Sequence, residues 1–292
     1  MDTRYLAIPE KSRSGRRFNL EYRGNAPSDG VCHHVTRPVT RLLAEGHAAA
    51  AADTELLFGE EFTVHEMQDG WCFGRARGDH YLGWVEAAAL AVGTSNATDQ
   101  VITRGTFVYA EADLKSRPLM KLPMGARFSI LDAVETRGTR YLQMSAGFLV
   151  AGHVGALADH AADFVAIAEQ LSGLAYLWAG RSSFGLDCSG LVQLAMGMAG
   201  IAVLRDSDLQ EATIGEPVAL GNDLDGLQRG DLVFWPGHVG IMQDALRLIH
   251  ANGHTMSVHS EPLHTAVERI SYLYGLPRAV RRPFGLSASP IP

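Results

Sequence analysis

The amino-acid sequence predicts an α+β unit preceded by two small all-β units, and three observations carry that prediction. Between residues 31 and 157, short runs of alternating apolar and polar residues are separated by Gly, Asp and Asn turns, with no helical period. The same stretch holds a weak internal repeat, in which Leu56-Leu-Phe-Gly-Glu-Glu-Phe-Thr-Val64 is echoed by Lys121-Leu-Pro-Met-Gly-Ala-Arg-Phe-Ser-Ile130. From Ala158 onward helical runs come first and strand-like runs follow, the order of a helix nucleus feeding an antiparallel sheet.

Taken in order, the 292 residues, 47% of them apolar, suffice for two or three compact cores. Residues 1–30 are polar, broken by Pro9, Gly15, Gly24, Pro27 and Gly30, and read as an arm lying over other domains. The repeat then places one barrel at 31–95 and a second at 98–157. Each copy has its echo segment, a charged turn, an aromatic strand start (Trp71 or Tyr141) and a closing strand beginning at Tyr81 or Gly147. Residues Val92-Gly-Thr-Ser-Asn-Ala-Thr98 have the composition of a linker, and the alanine run from Ala48 to Ala52 reads as a surface insertion in the first loop. Ala158 to Ser172 carries a helical pattern that opens the last domain, 158–292.

Charge and cysteine usage narrow the function. A formal charge of −7, with basic residues scattered except from Lys11 to Arg17, excludes a nucleic-acid partner. Cys32, Cys72 and Cys188 form neither a CxxC pair nor an even framework, so no disulfide scaffold is expected. Cys32-His33-His34 has no second ligand group at a zinc-like spacing and reads as a polar strand start, so neither a metal nor a cofactor is expected. The N-terminus lacks the apolar segment of a secretion signal and no run of eighteen apolar residues occurs, from which a cytoplasmic protein without membrane contact is expected.

The chemistry concentrates in Phe184-Gly-Leu-Asp-Cys-Ser-Gly-Leu-Val-Gln193. Leu191, Val192, Leu194, Ala195 and Met198 recur at helical spacing, and Asp187 and Ser189 are helix-start types, which puts Cys188 in the first turn. Unpaired backbone N–H groups and the positive dipole end there favour the thiolate, the nucleophilic form. Fifty residues on, two apolar runs meet at Pro236-Gly237; His238 opens the second and His250 closes the next, so adjacent antiparallel strands can set the imidazoles side by side. Cys188 as nucleophile, His238 as base and His250 as orienter follow the logic of cysteine hydrolases.

The strings Asp187-Cys188-Ser189-Gly190, Gly230-Asp231, Gly237-His238-Val239-Gly240-Ile241 and His250-Ala251 resemble, in order and spacing, the NlpC-like cell-wall cysteine peptidases. Ala175-Tyr-Leu-Trp-Ala-Gly180 is similar to that family's Tyr-x-Trp-Gly-Gly segment, with Ala179 in place of the first glycine, and the resemblance spans about residues 160–285. It implies a papain-like catalytic domain, and the two barrels resemble tandem bacterial SH3-like domains. The family cleaves the bond between γ-D-glutamate and a diamino acid in murein stem peptides, so a murein peptide is the expected substrate. By the same resemblance Tyr176 serves the oxyanion, and Asp187, Ser189, Asp206 and Ser207 line the cleft and hold substrate. In similar multi-domain members an SH3-like barrel closes the cleft at the free amine of the peptide, for which Glu60 and Tyr81 are the candidates here, and recycling of free peptides is the implied role. Two rival readings stay open: a non-catalytic murein-binding module, and an amidase or acyltransferase acting on another substrate with the same three residues.

Overall fold

A computed structural model describes residues 30–219 and 224–283. The expected arm, apart from Gly30, lies outside the described residues. The chain divides into two compact units at Asp159/His160.

The first unit contains the repeat as two copies of one strand order. Strands β1 (Val31–Val35), β2 (Val39–Leu43), β3 (Ala52–Leu57), β4 (Glu61–Gln68), β5 (Trp71–Ala76), β6 (Leu82–Glu86) and β7 (Leu90–Val92) form a sheet ordered β3-β2-β6-β5-β4-β1-β7. The second copy runs β8 (Asp99–Val101), β9 (Gly105–Tyr109), β10 (Pro118–Pro123), β11 (Arg127–Phe128), β12 (Asp132–Thr136), β13 (Thr139–Met144), β14 (Gly147–Val150) and β15 (Val154–Ala156). Its sheets are β10-β9-β14-β13-β12 and β11-β8-β15, so with β11 and β12 standing for the two halves of β4 the order is the same. The difference has a local cause. A strand that closes a small barrel must bend; β4 does so through an irregularity between Val64 and Glu66, whereas the second copy breaks its ladder between Phe128 and Asp132. Gly59 and Gly125 hold the same place in the two echo segments, with φ of +76° and +80°, the left-handed turn that admits glycine without strain. Both closing strands are interrupted by a 3-10 turn, Ala87–Ala89 and Ala151–His153.

Several expectations need correction here. Ala50 and Ala52 pack against Leu43, Phe73, Leu82 and Trp84, so the alanine run is partly core and not simply a surface insertion. The tract at 92–98 is no free tether: the Gly93 amide donates to Cys32 O, Ser95 donates to Glu61, and Phe58 packs into the second barrel's core beside Phe128. His33 and His34 place their Nδ1 atoms on the carbonyls of Val31 and Gly93, at 2.9 and 3.0 Å.

The second unit begins with α1 (Phe164–Gln170), capped by Asp163, whose carboxylate accepts the Val165 amide. The helix is therefore shorter than the periodic run from Ala158, the residues before Asp163 lying outside it. Short strands β16 (Arg181–Ser182) and β17 (Gly185–Leu186) lead into α2 (Cys188–Met198). Every α2 residue except Gly197 is buried, so α2 is a central helix of the unit. Next comes α3 (Ser207–Thr213). After β18 (Glu216–Val218) come β19 (Leu232–Trp235), β20 (His238–Met242), β21 (Arg247–Asn252), β22 (Ser257–Pro262), α4 (Leu263–Tyr274) and β23 (Ala279–Arg282). The sheet runs β18-β23-β19-β20-β21-β22, antiparallel at every pairing. Asp231 fixes its centre, accepting two hydrogen bonds of 2.7 Å from Arg282 on β23. No helix among the described residues is long and apolar enough to cross a membrane.

Candidate active site

Cys188 is the first residue of α2, and Asp187 is its N-cap. The Asp187 carboxylate accepts the amides of Gly190 at 2.7 Å and Ala179 at 2.9 Å, so it ties the helix start to the preceding loop. Arg205, 1% exposed, grips the same carboxylate with both terminal nitrogens at 3.0 and 2.6 Å and donates to Ser189 Oγ at 2.8 Å. Gly190 permits this closeness, since a Cβ there would sit 2.1 Å from the Gly180 carbonyl oxygen.

The hairpin β19–β20 carries His238, the candidate base. Gly237, at φ +74°, turns the chain so that His238 opens β20 opposite Trp235. Cys188 Sγ lies 4.0 Å from the Gly237 carbonyl oxygen and accepts the Val239 amide, so the thiol sits against the peptides on both sides of His238. Strands β20 and β21 pair with Ile241 opposite Ile249; continued, that register puts His250 opposite Gly240, on the face that carries His238. His238 Nε2 and His250 Nδ1 are 2.8 Å apart, which leaves His238 Nδ1 as the ring nitrogen free to serve the thiol. Behind them His250 Nε2 lies 2.8 Å from Glu261 Oε1 on β22, and Arg269 of α4 donates to that same oxygen.

Electrostatics differ from the expectation at the nucleophile. Burial first, then the Asp187 charge, push the Cys188 thiol up to about 12, against the pull of the Val239 and Ser189 amides and of Arg205. The helix start is outweighed, so the resting group is a thiol and not the thiolate expected from the helix dipole. Burial also depresses His238 to about 3, with the neighbouring His250 and Arg269 adding to the effect. His250 is lowered for the same first reason, against the pull of Glu261. Glu261 stays below the usual carboxylate range: burial works to raise it, and the His250 hydrogen bond and charge together with Arg269 outweigh that. The site is poised as a neutral thiol beside a neutral imidazole.

Residues 173–272 match the NlpC/P60 family, and residues 42–90 match the bacterial dipeptidyl-peptidase SH3 domain. The chain carries an NlpC/P60 domain. It is a cysteine peptidase, and its relatives carry corresponding names. It is 27% identical over 252 residues to dipeptidyl-peptidase 6 of Lysinibacillus sphaericus, covering 77% of this chain and 90% of that one. It is 28% identical over 221 residues to the γ-D-glutamyl-L-lysine dipeptidyl-peptidase of Bacillus subtilis, covering 68% and 71% of the two chains. The fold is that of an NlpC/P60 family protein from Bacillus cereus, with a TM-score of 0.71 at 20% identity over 86% of this chain and 99% of the other.

Within the NlpC/P60 domain the remaining expected residues take separate places. Tyr176 is half-buried, its backbone amide donating to Met256 O at 2.9 Å. Burial, Cys188 and Asp187 hold its phenol above the ordinary range, so the hydroxyl stays a donor near the thiol. Asp187 and Ser189 both accept hydrogen bonds from Arg205, which fixes them beside the thiol. Asp206 stands at the N-cap of α3 and Ser207 begins that helix, both half-buried. Gln210 of the same helix binds the carbonyls of Ser189 at 3.0 Å and Leu204 at 2.8 Å, pinning α3 to the first turn of α2.

Glu60 and Tyr81 belong to the first unit, where each has a task of its own. Glu60 accepts the Leu57 amide at 2.9 Å across the turn before β4, and Tyr81, 1% exposed, lies in the first barrel's core. Arg205, Glu261 and Arg269 were not foreseen. Nothing in the spacing pairs Arg205 with Asp187 eighteen residues earlier. Glu261 becomes a partner of His250 only through the β21–β22 register, which matches His250 to His259.

Proposed function

We propose that the enzyme hydrolyses the amide bond between a γ-D-glutamyl residue and a diamino acid in murein stem peptides. Its preferred substrates in this reading are free L-Ala-γ-D-Glu-diamino acid peptides, as in the reuse of released cell-wall material. The observation that carries the peptidase chemistry is the placement of Cys188 Sγ against the peptides flanking His238, with His250 bonded behind it. The bond is supported by the name of the Bacillus subtilis relative, which specifies both a γ-D-glutamyl-L-lysine bond and the removal of a dipeptide.

Because both groups rest neutral, His238 Nδ1 takes the thiol proton as Sγ adds to the scissile carbonyl. The C–N bond then breaks, the amine leaves with that proton, and a thioester remains on Cys188. Water, deprotonated by His238, adds to the thioester carbonyl and expels the thiol. Each addition places charge on the carbonyl oxygen, for which the backbone amides at the start of α2 and the Tyr176 hydroxyl are the donors. One such donor is worth roughly 3 kcal/mol in other enzymes.

The test is incubation with L-Ala-γ-D-Glu-diaminopimelate and with L-Ala-γ-D-Glu-L-Lys, each free or N-acetylated, read by mass spectrometry. Release of L-Ala-D-Glu from the free peptides alone is the expected result. Cleavage at another bond, or transfer of the acyl group to an added amine without hydrolysis, overturns the assigned reaction. Equal cleavage of the acetylated peptides leaves the bond specificity standing and removes the free-peptide role.

A further inference from the structure

The chain of contacts behind His238 does not stop at His250. Each imidazole must donate through one nitrogen and accept through the other while it is neutral, and burial holds both neutral. The direction of the His238–His250 hydrogen bond is therefore open until something outside the pair decides it. Two directions exist, and only one leaves His238 Nδ1 with a free lone pair.

We propose that Glu261, held by Arg269, is the positioning residue that selects the working tautomer of both histidines. An ionised carboxylate only accepts, so the 2.8 Å contact with His250 Nε2 requires the proton on that nitrogen. His250 Nδ1 is then a bare acceptor and draws the N–H of His238 Nε2, 2.8 Å away. The proton of His238 thus lies on Nε2, and its Nδ1 can take a proton from Cys188. Reversing the relay would put a proton on His238 Nδ1 and leave no base. Arg269 enforces the choice from the other side: it donates to the same Oε1 that faces His250, so that position must be an acceptor. The alternative of Glu261 as a mere surface ion pair fails on burial, since it is 8% exposed and His250 is fully buried. No proton leaves the relay in a catalytic cycle; Glu261 orients, and His238 alone handles the thiol proton.

This inference rests on Cys188 and His238 as the reacting pair but not on the identity of the substrate, so its decisive readout needs none. In ¹⁵N-histidine spectra of the whole protein, His238 and His250 are both expected to be protonated at Nε2. A His238 protonated at Nδ1 in the unaltered protein overturns the proposal outright. Glu261→Leu is expected to give mixed tautomers and a kcat lower by about 10–100-fold, with KM changed by less than about threefold. Glu261→Gln is the rescue: Arg269 keeps the amide oxygen toward His250, so the tautomers are retained and kcat stays within about fivefold. Thermal melts accompany each variant; should Glu261→Leu not fold, the unaltered protein and Glu261→Gln still decide. Wild-type tautomers and turnover in folded Glu261→Leu, or tautomer loss in Glu261→Gln equal to that in the leucine variant, would reject the assignment.

Discussion

Asp187–Arg205 and Glu261–Arg269 are the same chemical pair in two settings on either side of the reacting residues. Asp187 is saturated: two backbone amides, Ser189 Oγ and both arms of a guanidinium that is 1% exposed converge on it. It builds the helix start, and electrostatically it works against the nucleophile, since its charge helps raise the thiol. Glu261 offers one oxygen to an imidazole and to an arginine whose side chain is 26% exposed. A carboxylate whose donors are all local scaffold holds shape, whereas one whose donor is a titratable ring can set where a proton sits. The acid beside the cysteine thus builds the helix start, and the acid remote in sequence is the one that we propose sets the tautomers.

The most severe way to break the comparison is to remove the group on which both sides converge. Cys188→Ala is expected to lower hydrolysis by roughly 10³-fold or more while the protein melts as before. Because the thiol is pushed up to about 12, iodoacetamide labelling of the free enzyme should accelerate steadily as pH rises above neutrality, with the label on Cys188. Peptide mapping of the labelled protein checks the site, and retained activity in Cys188→Ala would remove the mechanism.

Next in size is the base. His238→Ala is expected to cost about 100 to 10,000-fold in kcat, and His250→Gln less, because an amide can still accept from His238 Nε2. Steady-state kinetics on the two variants decides; equal losses would erase the division between base and orienter.

This gradient also marks how far the sequence could be read. Cys188, His238 and His250 were legible because each sits at an element boundary that its neighbours announce: a cap before a helix, a Pro-Gly turn, the end of an apolar strand. The repeat was legible as well, and Phe62 and Phe128 hold matching core positions in its two copies. What escaped depends on register and burial. Glu261 is a lone acid in Ser257–Pro262, and only the pairing of β22 with β21 carries it to His250. Asp187 was legible as a cap, whereas its clasp by Arg205 is a tertiary fact. Glu60 reads as a free acid beside Glu61 until the turn closes and it accepts the Leu57 amide.

The two arginines give the next contrast. Arg205→Ala leaves Asp187 buried with its principal countercharge gone, a loss expected to destabilise by about 3–5 kcal/mol. Arg269→Ala removes a more exposed partner, and Glu261 keeps its imidazole donor, so a loss of about 1 kcal/mol or less is expected. Urea unfolding midpoints at neutral pH test the pair; equal losses would mean that burial does not separate the two settings.

Acid should act on the histidine side first. His238 has an unfolded value of about 6.5 and is depressed to about 3 in the fold, so below about 6.5 the unfolded chain binds a proton that the folded one refuses. Stability is thus lost progressively as pH falls from about 6.5 toward about 3. Glu261, also lowered, has the same sign: the stability it contributes is present above about 4.5 and is lost as pH falls further. Unfolding midpoints measured from pH 7.5 to 4.5 should drop, and His238→Asn should flatten that slope in the upper part of the window. An unchanged slope in the variant would show that another group carries it.

The smallest effect sharpens the scaffold side. Ala179 occupies the left-handed region at φ +65°, where its N–H can reach Asp187 Oδ2 at 2.9 Å. A non-glycine residue there costs about 1–2 kcal/mol. Against this, the Ala179 methyl is buried, worth about 0.8 kcal/mol, and glycine adds chain entropy to the unfolded state, which costs about 0.4–1 kcal/mol. These contributions nearly cancel, so Ala179→Gly is expected to stay within about 0.5 kcal/mol of the parent with hydrolysis unchanged. A β-branched residue meets the same backbone with a bulkier Cβ, so Ala179→Val should lose more than about 2 kcal/mol and loosen the Asp187 clasp. Thermal melts of the two variants read the difference directly. If valine were tolerated as well as glycine, the loop would not be held in the left-handed turn, and the clasp between Ala179 and Asp187 could not be what fixes the start of α2.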